Sequence, residues 1–108
     1  MLGNTNQKKE PTMATLHIEN TVRDYPEWKS VFDKFDRMRK EQNVRGYRIS
    51  RHHDDPNQIV VDLDFDTADQ ASSFREVLAK IWATPQSREQ LVTHSEPQVL
   101  ELVDQRAL

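Results

Sequence analysis

The chain has 108 residues, of which 35% are hydrophobic and 31% charged, so it has the length of one domain with a thin core. Its formal net charge of −3 disfavours a nucleic-acid partner, and the lack of cysteine excludes disulfides, thiolate metal sites and cysteine nucleophiles. No apolar run approaches the ~18 residues of a membrane span, and the N-terminus lacks the apolar stretch of a signal peptide. We therefore expect a cytoplasmic protein without membrane contact.

The composition changes near both ends of the chain. Residues 1–13 contain almost no apolar side chains, which is typical of a flexible tail. Residues 105–108 are interpreted as a second short tail. The sequence between them shows no repeat and no low-complexity stretch, so residues 14–104 are predicted to form a single folded domain.

A strand followed by an amphipathic helix is predicted in the first half of the domain. Apolar and polar residues alternate over residues 14–20, which indicates a half-buried strand. Asp24 is a candidate N-cap of a helix that continues to about Gln42. The basic run 37–40 is interpreted as a solvated face of that helix. Its apolar stripe has helical spacing and consists of Trp28, Val31, Phe32, Phe35 and Met38.

A hairpin follows, with strands predicted at residues 47–53 and 58–65 and a turn at residues 54–57. A plain four-residue turn would place Ile49 among acidic side chains. A shift of one residue would instead pair Ile49 with Leu63 on the apolar face and place Arg48 opposite Asp64 on the other face. We therefore expect an odd loop or a β-bulge near the turn.

The last third of the domain is predicted to contain a second helix and a final strand. Thr67 is a candidate N-cap, and Pro85 ends or bends the helix. Residues 86–93 are predicted to add one or two helical turns, and residues 98–104 to form the last strand. The buried stripe of the second helix is predicted to contain Ala71, Phe74, Leu78, Ile81 and Trp82.

The element order β-α-β-β-α-β predicts a ferredoxin-like α+β fold. In this fold a four-stranded antiparallel sheet, with strand order 4-1-3-2, carries both helices on one face. The other face of the sheet is not covered by helices, which favours association with a partner through this face. The residues predicted on that helix-free face are His17, Glu19, Arg48, Ser50, His52, Val60, Asp62 and Asp64.

Four local segments carry a resemblance to a known family: residues 22–28 before the first helix, 54–57 in the hairpin, 65–67 before the second helix, and 96–97 before the last strand. With them the chain resembles the dimeric α+β barrel superfamily, in particular its antibiotic biosynthesis monooxygenase-like domains. The resemblance implies a homodimer in which two sheets pack their helix-free faces into a barrel. It also implies a ligand site between helices and sheet, with no tightly bound cofactor.

Histidine and carboxylate side chains on the predicted helix-free face are candidates for proton transfer. Either His17 or His52 could pair with Asp62 in the middle of the sheet, and a carboxylate that orients an imidazole makes a general base. The alternative is a hydrogen-bonded network at a dimer interface. A metal site is not predicted, because the sequence lacks the local ligand spacing that such sites show. We expect His94 to be exposed to solvent.

Aromatic residues are predicted to converge between the helices and the sheet. They form either the core alone or an apolar pocket for a flat aromatic substrate. The candidate substrate-binding residues are Trp28, Phe32, Tyr47, Phe74 and Trp82. Together with the resemblance, they favour a small cofactor-independent enzyme of the monooxygenase or cyclase type. The alternative is a non-catalytic ligand-binding or stress-related dimeric protein.

Overall fold

A computed structural model describes residues 13–108, so the predicted tail at residues 1–13 lies almost wholly outside the described residues. Five strands and four helices follow one another along the described part of the chain. In chain order they are β1 (Ala14–Val22), α1 (Tyr25–Lys34), α2 (Asp36–Glu41), β2 (Gly46–His52), β3 (Asp55–Phe65), α3 (Ala68–Trp82), α4 (Pro85–Gln90), β4 (Leu91–His94) and β5 (Gln98–Glu101).

The strands form one antiparallel sheet in the order β2-β3-β1-β4, and β5 also pairs with β1. The ferredoxin-like α+β architecture is therefore confirmed, with the last predicted strand beside the first. The sheet has one strand more than predicted. Residues 91–93 were expected to be helical, but they belong to β4, which lies along the end of β1, where Thr21 faces Thr93. β4 and β5 thus share one edge of β1, each pairing with a different half of it.

The hairpin of β2 and β3 keeps the predicted faces but has a different register. Ile49 pairs with Val61 and Arg48 with Asp62, two residues away from the expected partners Leu63 and Asp64. The register shifts between Arg51 and His52, so the expected irregularity does occur close to the turn. Because the displacement is an even number of residues, the apolar side chains of β2 still face the helices.

The core lies between the helices and one face of the sheet. Alternate residues of β1 and β3 are buried, while the residues between them face the opposite side and are partly exposed. The largest fully buried side chains belong to this layer and to the facing side of α3. They are Phe65, Phe74, Leu16, Ile59, Leu63 and Val22.

The helices begin where capping residues are predicted. Asp24 accepts a hydrogen bond from the backbone N–H of Glu27, and Thr67 accepts one from that of Gln70. The first helix does not continue to Gln42 as predicted, because it is interrupted at Phe35. None of the helices within residues 13–108 is long and apolar enough to cross a membrane.

The hydrogen bonding of the first helix changes at Phe35. The backbone N–H of Phe35 donates to the carbonyl of Phe32 at 3.2 Å, in place of the usual bond four residues apart. The same carbonyl accepts a hydrogen bond from Nη2 of Arg39 at 2.6 Å. The one carbonyl thus accepts from both donors, and the Arg39 side chain of α2 is fixed against the end of α1.

Candidate functional site

A cavity of about 50 Å³ lies between the helices and the sheet. Four of the five predicted substrate-binding residues line it, namely Trp28, Phe32, Phe74 and Trp82. The fifth, Tyr47, is not in the lining; its ring packs edge-on against Phe32 at 5.1 Å and is 37% exposed. The structure therefore brings the predicted aromatic residues together around a small apolar space.

Polar side chains also line this cavity. Four polar or charged residues are buried among the described ones, and all four face this space. They are Asn20 from β1, Arg39 from α2, and Ser87 and Gln90 from α4. An apolar cavity with a few convergent polar groups is the usual form of a small-molecule site.

Two buried oxygens in the cavity wall have no hydrogen-bond partner. They are Oδ1 of Asn20 and Oε1 of Gln90. The orientation of the Gln90 amide follows from its neighbour, since its Nε2 donates to Oε1 of Glu27 at 3.1 Å. An ionised carboxylate can only accept, so the nitrogen must face Glu27 and the amide oxygen is left facing inward. Such an orphaned acceptor costs about 1–3 kcal/mol unless a donor reaches it.

The polar residues of this cavity were not predicted from the sequence. Asn20 occupies an inward position of β1, where a polar side chain interrupts an apolar alternation. Arg39 follows Phe32 by seven residues and Phe35 by four, which places it on the apolar stripe rather than on a solvated face. Those two signals were present in the sequence. Gln90 gives no such signal, because α4 is too short to show a period.

His17 and Asp62 form the predicted pair on the helix-free face. The two residues are directly opposite in the β1–β3 ladder, and Nδ1 of His17 is 2.7 Å from Oδ1 of Asp62. On the other side of the ring, Nε2 lies 3.0 Å from Oε2 of Glu19. These hydrogen bonds, first that to Glu19 and then that to Asp62, raise the pKa of His17 against the opposing effect of partial burial.

The second candidate histidine, His52, and the remaining strand histidine, His94, lie elsewhere. In the observed register Asp62 faces Arg48, whereas His52 pairs with Asp55 at the hairpin end. His52 is four residues from Arg48, which corresponds to about 13 Å along β2. It lines an open groove that it shares with His94. His94 is exposed as expected, but it lies in a strand and stacks on Trp82 at 4.1 Å. Within residues 13–108 no three His, Asp or Glu side chains are grouped so that they could hold a metal ion.

The aromatic cavity and the His17–Asp62 pair lie on opposite faces of the sheet. Successive strand residues point to opposite sides, and the neighbours of His17, Leu16 and Ile18, are buried under the helices. Within one chain, a molecule in the cavity is therefore separated from the imidazole by the sheet itself. The candidate proton-transfer residues and the candidate binding residues do not form one site.

The raised pKa of His17 predicts a pH-dependent stability. Protonated His17 donates to both carboxylates, so its contribution is complete below the ordinary pKa of 6.5 and is lost as the pH rises through the folded-state value. We expect the difference in free energy of unfolding between the wild type and His17→Gln to shrink as the pH rises from about 5.5 to 8.5. Chemical denaturation at each pH measures it. His53→Gln, in the exposed hairpin turn, is the control, and a difference that grows with pH would contradict the assignment.

No family model matches this chain, and no curated protein is significantly similar to it. Solved structures do share its fold. SnoaB, a cofactor-independent oxygenase from Streptomyces nogalater, is 19% identical with a TM-score of 0.59, over 90% of this chain and 97% of that one. A candidate antibiotic biosynthesis monooxygenase from Bordetella bronchiseptica is 18% identical with a TM-score of 0.64, over 90% and 99%. A dimeric ferredoxin-like protein from an uncultured marine organism is 9% identical with a TM-score of 0.62, over 95% and 98%.

These three structures match nearly the whole of the described chain with the same arrangement of strands and helices. At such low identity the likeness concerns the fold. The predicted architecture and the predicted resemblance are confirmed at that level: the chain shares a ferredoxin-like α+β fold with a cofactor-independent oxygenase, a candidate antibiotic biosynthesis monooxygenase and a dimeric ferredoxin-like protein.

Proposed function

We propose that this chain binds a small aromatic molecule in the helix–sheet cavity and oxidises it with molecular oxygen, without a bound cofactor. The observation that carries the proposal is the pair of unpartnered amide oxygens, on Asn20 and Gln90, in a cavity walled by aromatic rings. Both side chains are about 95% buried. A ligand hydroxyl or acidic C–H placed there would give them the donor that the protein does not supply.

The cavity must enlarge to hold an aromatic ring. Its volume of about 50 Å³ is a third of the roughly 150 Å³ that an apolar cavity needs for benzene. The outer wall allows this, because it consists of partly exposed side chains on α1 and α3, including Val31, Ile81 and Trp82. Their outward movement widens the cavity while the buried layer on the sheet stays in place. Ligand entry between α1 and α3 follows from this arrangement.

The proposed chemistry requires little from the protein beyond binding and the exclusion of water. A methylene flanked by aromatic rings reacts with one molecule of oxygen. One oxygen atom enters the product as a carbonyl, and the other leaves as water with the two hydrogens of the methylene. Asn20 and Gln90 would orient the substrate, and Trp28 and Phe74 would hold its plane. SnoaB, with the same fold, is a cofactor-independent oxygenase, which supports this reaction class.

A non-catalytic ligand-binding role is the alternative, and one observation favours it. Among the residues that line the cavity, Arg39 is the sole ionisable side chain. The candidate base His17 lies across the sheet, so no histidine or carboxylate of the described lining can take a proton from a bound ligand. If the ligand does not react with oxygen by itself, a cavity without a base supports binding of the ligand but not its oxidation.

We further propose that two copies of the chain pack through their helix-free sheet faces. This face carries a polar network in which Asp64 accepts hydrogen bonds from Thr15 and Arg48, beside the His17–Asp62 pair. Partly exposed charges arranged in this way suit a self-complementary interface, where they fix the register of association. The marine structure with the same fold is a dimeric ferredoxin-like protein, which supports the proposal.

Asn20→Leu separates a binding role from a structural role. The substitution removes an unpartnered buried oxygen, so we expect the free energy of unfolding to stay the same or to rise by up to about 1–3 kcal/mol. We expect oxygen consumption with anthrone, whose central methylene is acidic, to be lost. An oxygen electrode and mass spectrometry of the product measure this. Thr21→Val, on the next residue and the opposite face, is the matched control.

Two results of that experiment would contradict the proposal. Wild-type oxygen consumption by Asn20→Leu would show that the reaction does not use the cavity. A clear loss of stability would show that the Asn20 amide already has a partner in the folded protein. Anthrone binding without oxygen consumption by the wild type would instead support the ligand-binding alternative.

His17→Ala decides between the two roles proposed for the helix-free face. If His17 is part of the interface, we expect the variant dimer to dissociate at a higher protein concentration than the wild-type dimer. Turnover per folded chain is expected to be retained. Analytical ultracentrifugation and the oxygen electrode measure the two properties on one sample. His53→Ala is the control. Loss of turnover in an intact dimer would show that His17 transfers a proton in the reaction.

A further inference from the structure

Arg39 is the buried charged residue of the described chain, and it faces the cavity. Its side chain is 8% exposed, and its guanidinium lies over the ring of Phe32 at 3.4 Å from the centroid. Burial of a guanidinium without a close counter-ion costs considerable free energy. Buried charged groups of this kind are often found at functional sites, where a ligand interacts with the charge.

The protein itself neutralises this charge poorly. Asp36 is the acidic partner, but Nη1 of Arg39 is 3.4 Å from its Oδ1, and the Asp36 side chain is 66% exposed. The second hydrogen bond goes to the neutral carbonyl of Phe32. These contacts use two of the five N–H groups of the guanidinium. Within residues 13–108 no further hydrogen bond to Arg39 is formed, and burial lowers its pKa although the group remains charged.

The cavity has two different polar ends. Arg39 binds the carbonyl of Phe32, near the end of α1, whereas Gln90 binds Glu27, near its beginning. Five residues separate these points on the helix, which corresponds to about 7.5 Å along its axis. One end thus offers cationic donors, and the other offers the amide acceptors of Gln90 and Asn20. A ligand with an acceptor group on one side and a donor group on the other would match both ends.

We infer that the ligand of this cavity is an aromatic anion, with a carboxylate or phenolate oxygen held by Arg39 and a hydroxyl group held by Asn20 and Gln90. The inference rests on the proposed ligand site, since Arg39 lines the same cavity. A planar guanidinium that keeps free N–H groups matches a carboxylate in both geometry and charge. The partners at the other end are acceptors, so they select a group that donates.

The test compares matched probes on the full-length wild type by isothermal titration calorimetry at pH 7.5. The probes are para-hydroxybenzoate, para-hydroxybenzamide, which lacks the charge, and benzoate, which lacks the hydroxyl. A hydrogen bond to a charged group adds enough affinity for roughly a tenfold or greater preference for para-hydroxybenzoate over the amide. We expect the same order, by a smaller factor, for para-hydroxybenzoate over benzoate.

Variants of Arg39 test whether this residue causes the preference for para-hydroxybenzoate over para-hydroxybenzamide. Arg39→Met is expected to bind the benzoate and the benzamide probes equally, and Arg39→Lys is expected to keep part of the preference because it keeps the charge without the planar fork. Arg37→Met is the matched control: it removes the same charge from the same helix at a side chain that is 91% exposed. Its preference is expected to equal that of the wild type.

The possible failures are distinguishable. Equal affinity of the wild type for the acid and the amide would overturn the inference while leaving the ligand site in place. Failure of all three probes to bind would overturn the ligand site as well. A preference that survives in Arg39→Met, or that disappears in Arg37→Met, would place the anion elsewhere. The wild-type comparison stands even if Arg39→Met does not fold.

Discussion

The antiparallel pairing of β1 with β3 decides which side chains of this protein can act together. In the observed register Leu16 faces Leu63 and His17 faces Asp62. Because neighbouring residues point to opposite sides of a strand, this one ladder creates an apolar layer for the helices and a charged layer on the other face. A slip of β1 by one residue would turn His17 toward the helices, away from Asp62, and would expose Leu16, so fold and chemistry depend on the same register.

The division into two faces gives the domain two separate properties. The apolar face, covered by the helices, encloses the cavity and its buried amides. The polar face carries the ion pair between Arg48 and Asp64 and few apolar side chains. The proposed binding and the proposed association therefore do not compete for the same residues. In a chain of 108 residues with a thin core, this separation leaves the helix-free face available for the proposed pairing.

The interrupted first helix links the backbone to the proposed anion site. The carbonyl of Phe32 accepts hydrogen bonds from the Phe35 N–H and from the Arg39 guanidinium. The break at Phe35 thus coincides with the anchoring of a buried guanidinium at the end of α1. Local departures from regular structure are often found at functional sites, where the surrounding packing maintains them.

The sequence predicted the architecture well and the cavity only in part. Alternation in β1 and the caps Asp24 and Thr67 are local signals, and the structure confirms them. The strand β4 was missed because residues 91–94 become a strand only through their pairing with the end of β1, which is a tertiary effect. Arg39 was missed because a charged residue is normally assigned to a solvated face, although its spacing from Phe32 places it inside.

The most direct test of the account is a nitrogen-15 NMR titration of the wild-type protein with para-hydroxybenzoate. The central claim is that the ligand enters between the helices and the sheet. The account predicts concerted, saturable shifts of Nε of Arg39 and of the side-chain amides of Asn20 and Gln90, with the His17 imidazole unaffected. Shifts confined to His17 and Arg48 would place the ligand on the helix-free face and contradict the account.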